Sequence, residues 1–233
     1  MRPAAAVEGS CVIPRRHPAA AGNNPCMRRL VRTAALVAAC SASVLASAAH
    51  GATPVQVTFV GDSIADSLSY VPTAEHALSR GFAVRYDLRV CRRLASTGCP
   101  YAGGIPPSAL DAIHQDGEGL GQVLVVDVGY NDDPAQYRRG MDDVVQTALA
   151  LGVRRIVWIT LREAQPVYRE TNAVIRSEAR RFPQVDVADW NAGSAGKPWF
   201  RSDGLHLTAE GATALAVWLR PYLLRAGAEA RAA

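Results

Sequence analysis

The chain has 233 residues, 49% hydrophobic, 20% charged and 6% aromatic, with 19 Gly and 14 Pro. That balance excludes a disordered, collagen-like or coiled-coil protein, and the length fits one ordinary domain with an extra segment. The net charge of +4 is lopsided: residues 1–52 hold six Arg against Glu8 alone, leaving 19 basic and 20 acidic groups in the rest. The basic character therefore belongs to the N-terminal segment, and no nucleic-acid partner is expected.

Residues 1–52 read as an N-terminal extension and signal peptide, and 53–233 as the folded domain. Residues 1–26 look neither folded nor targeting, and Met27 is taken as the true start. After it, Arg28, Arg29 and Arg32 lead into an Ala/Ser-rich apolar stretch, with small-residue cleavage sites after Ala48 or Gly51. The stretch is short and weakly apolar for a bilayer span. Export to a secreted or periplasmic location is expected, with no stable membrane span after cleavage. A lipoprotein form through Cys40 is the lesser alternative. Beyond residue 52 only Cys91 and Cys99 remain, an even pair suited to a disulfide outside the cytoplasm. With those two Cys and only His76, His114 and His206, no metal site is expected.

Apolar runs then alternate with helical patterns. Val55–Val60 is a β-branched strand ending at Gly61. Residues 64–80 are helical in part, with a break or kink at Pro72. Phe82–Val90 reads as a second strand and 106–113 as a short helix. Val123–Val128 is a nearly continuous apolar strand interrupted by Asp127. Residues 135–151 set Tyr137, Met141, Val144, Val145 and Ala148 on one helical face. Ile156–Leu161 is a fourth strand, 169–182 a helix, and Val185–Trp190 a fifth strand. Thr208–Leu224 closes the fold as a helix with Ala212, Leu215, Ala216, Leu219 and Leu223 inward, followed by a frayed tail. This alternation predicts one three-layer α/β/α sandwich with a mainly parallel five-stranded sheet of flavodoxin-like type. Ligands of such sheets bind beyond the carboxyl ends of the strands.

Three loops at those ends carry chemistry. Gly61-Asp62-Ser63 follows the first strand and offers a hydroxyl and a backbone N–H to a cleft, although Asp62 or Ser63 alone reads equally as a helix cap. Gly129-Tyr130-Asn131-Asp132 follows the third strand. Its Asn amide is a neutral donor for a developing oxyanion, and its composition also suits a plain turn. Asp203-Gly204-Leu205-His206 precedes the last helix. There a His can take the proton of a serine, and a carboxylate three residues earlier can fix its tautomer.

Taken jointly and in this order, the three loops resemble the SGNH/GDSL hydrolase superfamily over residues 55–225. No Gly-x-Ser-x-Gly elbow of the α/β-hydrolase type is present. The resemblance implies Ser63 as nucleophile, His206 as general base and then acid, Asp203 as orienting carboxylate, and Asn131 with the Ser63 N–H as oxyanion donors. The family places a glycine soon after the second strand, where this chain reads Val90-Cys91-Arg92-Arg93. The missing donor is assigned to the Arg92 N–H, with Gly98, Gly103 and Gly104 as rivals, and a Cys91–Cys99 disulfide would hold that loop. Ile64 stands where the name-giving motif has Leu.

Val90–Arg93, Asp189-Trp190 and Trp199–Thr208 are similar to the extracytoplasmic SGNH domains of peptidoglycan and polysaccharide O-acetyltransferases. Those domains accompany a multi-helix membrane part, so hydrolysis of a small-molecule or glycan O-acyl ester is the simpler expectation here. Acyl transfer to a glycan alcohol and non-catalytic glycan binding are the alternatives. No cofactor is implied, and the oligomeric state stays open. Asp127 is expected as a hydrogen-bonded structural carboxylate, Trp199 and Phe200 as pocket lining or packing, and Arg92 and Arg93 as solvated.

Overall fold

The computed structural model describes residues 53–233. The signal-peptide reading and its cleavage sites lie outside the described residues.

The chain alternates strand and helix: β1 (Val55–Gly61), α1 (Ser67–Tyr70), α2 (Pro72–Ser79), β2 (Phe82–Leu88), α3 (Ala109–Asp116), β3 (Val123–Asp127), α4 (Pro134–Ala150), β4 (Arg155–Ile159), α5 (Pro166–Ala179), β5 (Val185–Ala188), α6 (Trp190–Gly193) and α7 (Ala209–Ala232). All five strands pair in parallel, in the order β2-β1-β3-β4-β5. The expected three-layer α/β/α sandwich is the fold observed.

Period-two alternation divides β1, β3, β4 and β5 between two cores, while the edge strand β2 serves only one. Val123 and Val125 of β3 join Val57, Phe59, Leu68, Leu78, Leu215 and Leu219 on the side of α1, α2 and α7. Leu124 and Val126 join Ile113, Met141, Val144, Trp158 and Ile175 on the side of α3, α4 and α5. Every residue of β3 is therefore buried, and the strand reads as an apolar run, Val123–Val126, that ends in the buried Asp127.

The expected break at Pro72 is present: the 64–80 stretch is two helices separated at Val71, whose extended backbone (φ −100, ψ 104) is the conformation a residue before proline favours. Other bounds differ from expectation. The tail beyond Leu224 does not fray, because α7 continues to Ala232. Ala226, Gly227 and Ala230 are buried there, and Gly227 lets the helix approach Phe82 and Val55. An Ala-rich segment of low hydrophobicity shows little in its own sequence of the flat surface that receives it.

Parallel pairing brings all the strand carboxyl ends to one edge. The Arg89 N–H donates to Gly61 O at 3.1 Å, and the Asp62 N–H donates to Asp127 O at 3.0 Å. The loops after β1, β2 and β3 thus leave the sheet side by side, at the point where successive connections diverge to opposite faces.

Candidate active site

Asp62 has the first organising role. Its buried carboxylate accepts the Ile64 N–H at 3.0 Å, and the Gly129 and Tyr130 N–H groups at 3.3 Å each. It caps no helix; instead it clamps the loop after β1 to the loop after β3, which sets Ser63 and Asn131 on adjacent turns. Burial pushes the Asp62 carboxyl up to about 7, against the pull of those three donors.

His206 Nε2 lies 3.1 Å from Ser63 Oγ, and His206 Nδ1 lies 2.8 Å from Asp203 Oδ2. Asp203 Oδ1 accepts the N–H groups of Leu205 at 2.8 Å and His206 at 2.9 Å. These backbone donors, the Leu205 N–H first, and the imidazole hold the Asp203 carboxyl below its usual range. A carboxylate only accepts, so Nδ1 carries the proton facing it and Nε2 is left to accept from the serine hydroxyl. The loop that carries the pair is held at several points. Phe200 and Leu207 form an antiparallel bridge, and Gly204 turns at φ 69. Arg162, just after β4, donates from Nε to Gly204 O at 2.7 Å and lies 3.8 Å over the Phe200 ring.

On the opposite side, Asn131 Nδ2 donates one hydrogen to Arg92 O at 3.1 Å, leaving its second amide hydrogen unspent. The Ser63 N–H has no partner among the described residues. The loop after β2 departs from expectation. The Arg92 N–H donates to Arg89 O at 3.2 Å and is not available to an oxyanion. Its side chain, expected to be solvated, is 0% exposed. Nη1 donates to Asp87 O at 2.6 Å, Nη2 to the Asp87 carboxylate at 3.0 Å, and Nε to Pro107 O at 3.1 Å. Arg92 is a buried brace for this loop, each of its three guanidinium nitrogens held by a protein acceptor.

The residue before it is the one that sequence reasoning passed over. Cys91 has φ 66, a left-handed backbone that residues with a Cβ rarely adopt. Its N–H has no partner among the described residues. Cys91 is bonded to Cys99, so the expected disulfide is present. Of the rival glycines, Gly104 spends its N–H on Tyr101 O at 3.0 Å, and Gly98 packs under the Cys91 carbonyl. A signal for Cys91 was available: a glycine-requiring place occupied by a half-cystine.

Ser63 and His206 open into a cleft of about 300 Å³ walled by Tyr70, Val90, Tyr101 and Arg201. A hollow of about 320 Å³ shares Asp66, Val90 and Tyr101 with it and extends to Ile105. Tyr70 and Tyr101 are each 56% exposed. A separate hollow of about 390 Å³ between Leu94, Asp132 and Gly140 contains neither Ser63 nor His206. Trp199 and Phe200 serve packing: Trp199 stacks on Trp190 at 5.6 Å and Phe200 lies under Arg162. Asp127, expected to be hydrogen-bonded, is buried with both carboxyl oxygens unpartnered. Among the described residues no group of three or more His, Cys, Asp or Glu could hold a metal ion, and no helix is long and apolar enough to cross a membrane.

The fold and this arrangement define a class: an α/β/α protein carrying a Ser-His-Asp relay across the strand ends. No family model matches the chain, and no curated protein matches it in sequence. Solved structures share its fold. A carbohydrate acetylesterase family member from Sinorhizobium meliloti is similar with a TM-score of 0.59 at 16% identity, over 75% of this chain and 99% of that one. The psychrotrophic esterase EstA from Pseudoalteromonas sp., in a structure inhibited by monoethylphosphonate, is similar with a TM-score of 0.55 at 11% identity, over 73% of this chain and 97% of that one.

Proposed function

We propose that the protein is an exported serine hydrolase that cleaves carboxylic esters, O-acyl esters of small molecules or glycans among them, through an acyl-enzyme on Ser63. The observation that carries this reading is the unbroken relay from Ser63 Oγ through His206 to Asp203, at 3.1 and 2.8 Å. Ser63 Oγ attacks the ester carbonyl as His206 Nε2 takes its proton, and the imidazolium is steadied by Asp203. Charge developing on the carbonyl oxygen is met by the Ser63 N–H and the free hydrogen of Asn131. The Cys91 N–H takes the place first assigned to Arg92. The imidazolium then protonates the leaving alcohol, and a water molecule attacks the acyl-enzyme by the same proton route in reverse. Export is supported by the Cys91–Cys99 disulfide, which persists in oxidising compartments. The esterase fold of the structural neighbours agrees with the activity.

The test is Ser63→Ala, assayed on p-nitrophenyl esters of increasing chain length and on acetylated sugars. We expect kcat to fall by about 10⁴-fold or more with circular dichroism unchanged, and fluorophosphonate labelling to vanish. A folded variant that keeps the parental rate overturns the reading.

A further inference from the structure

The loop from Cys91 to Cys99 holds a backbone conformation that its own residues do not favour. Cys91 sits at φ 66, where a Cβ meets the neighbouring backbone and glycine is the residue at ease. Three contacts converge on this one residue. Its sulfur is bonded to Cys99. Its carbonyl accepts the Cys99 N–H at 3.3 Å. Gly98 lies so close beneath that carbonyl that an added Cβ would stand 2.5 Å from the oxygen. On the other side, Arg92 is fixed through Asp87 and Pro107. The residue is therefore gripped from both sides, and its N–H remains unspent among the described residues.

The residues on both sides of Cys91 stand at the site. Val90, the residue before it, lines the cleft with Ser63 and His206. The carbonyl of Arg92, the residue after it, accepts from the amide of Asn131. The Cys91 peptide is thus flanked by a cleft wall on one side and a proposed oxyanion donor on the other.

We propose that the Cys91–Cys99 disulfide is a positioning device for catalysis, holding Cys91 in the left-handed conformation that presents its N–H to the oxyanion. The proposal rests on the ester-hydrolase reading above and adds to it a residue, Cys99, that touches no substrate. With the bridge cut, Cys91 relaxes toward the negative φ that a residue with a Cβ prefers, and the donor turns away. Substrate still binds, because Tyr70 and Arg201, which line the cleft from other segments, are not held by the bridge. The transition state loses one donor for part of the time.

The test compares Cys99→Ser, the pair Cys91→Ala/Cys99→Ser and the pair Cys91→Gly/Cys99→Ser with the parent, each checked by circular dichroism and assayed well below its unfolding midpoint. Complete loss of a donor lowers the rate about 10²–10³-fold. A donor that is displaced part of the time is expected to lower kcat by about 10–100-fold in the first two variants, with KM within about twofold. Glycine adopts the left-handed backbone without a tether, so the glycine pair is expected to recover about tenfold over the alanine pair. A bridge that served stability alone would leave the glycine and alanine pairs equal. Equal kcat in those two pairs, or parental kcat in Cys99→Ser, overturns the proposal.

Should the variants fail to fold, dithiothreitol applied to the folded parent gives the same reading. It reduces the bridge to two thiols and is itself oxidised to its cyclic disulfide. Full kcat in the reduced, folded protein overturns the proposal, and a loss that is reversed by reoxidation supports it. Ser63→Ala separates the two levels. If it is active, the hydrolase reading fails; if it is inactive while the cysteine variants are unimpaired, only the disulfide's role fails.

Discussion

Asn131 is the residue whose contribution is most cleanly separable. One hydrogen of its amide is held by Arg92 O at 3.1 Å, which orients the group without any help from substrate. In the proposed mechanism its function is confined to charge that appears only in the transition state. Asn131→Ala is therefore expected to lower kcat by about 10²–10³-fold and to leave KM nearly unchanged. Steady-state kinetics on a p-nitrophenyl ester check this, and a rise in KM at constant kcat would count against it. Ser63, Asn131, Asp203 and His206 were legible in the sequence because each stands within a few residues of a strand end or of the last helix, and their chemistry is inherent in their side chains. Arg92 was misread for the opposite reason. An Arg-Arg dipeptide between two strands carries no sign that Asp87, five residues earlier on β2, will draw one guanidinium into the interior. The donor proposed for Cys91 left no mark in the sequence because it is a backbone N–H, which every residue but proline possesses.

At the scale of elements, the two halves of the site are joined through the loop after β4. The Arg162 N–H donates to the Tyr130 hydroxyl at 2.7 Å, next to Asn131 in the chain. The Arg162 side chain holds Gly204 O, between Asp203 and Leu205, while its plane covers Phe200. It thereby ties the loop that carries the proposed oxyanion donor Asn131 to the loop that carries the imidazole. Small displacements of reacting groups carry large rate penalties, so Arg162→Ala is expected to lower kcat by about 10-fold or more. Arg162→Lys should rescue little of that loss, since an ammonium has neither the planar face nor the fork of a guanidinium. Kinetics of both variants decide, and parental kcat in the lysine variant would refute this role. Strand and helix order were readable from periodicity, because alternating apolar positions serve both cores at once. Loop ties such as this one were not, since they join residues about forty positions apart through single polar contacts.

For the molecule as a whole, the carboxyl ends of the sheet concentrate buried acid. Burial raises Asp62 to about 7 and Asp132 to about 6, and it raises Asp127 well above the ordinary value, reinforced by the nearby Asp62. Asp62 has three backbone donors to support its charge, whereas Asp127 has none, so Asp127 is the group that keeps its proton. An unfolded chain releases all three protons near pH 4, while the folded chain retains them to higher pH. Between those limits the native state binds more protons than the unfolded state, and its stability must fall as pH rises. Each retained proton contributes a slope of about 1.4 kcal/mol per pH unit. Asp203, shifted the other way, gives a contribution that is present above its ordinary range and lost as the pH falls below it. Urea unfolding followed from pH 5 to 8 is therefore expected to show declining stability. Asp127→Asn, which removes one of the retained protons, should make the decline over pH 5 to 7 shallower by about 1.4 kcal/mol per pH unit. Identical slopes for parent and variant would mean that Asp127 is already ionised in the fold over that range, beneath the proposed nucleophile.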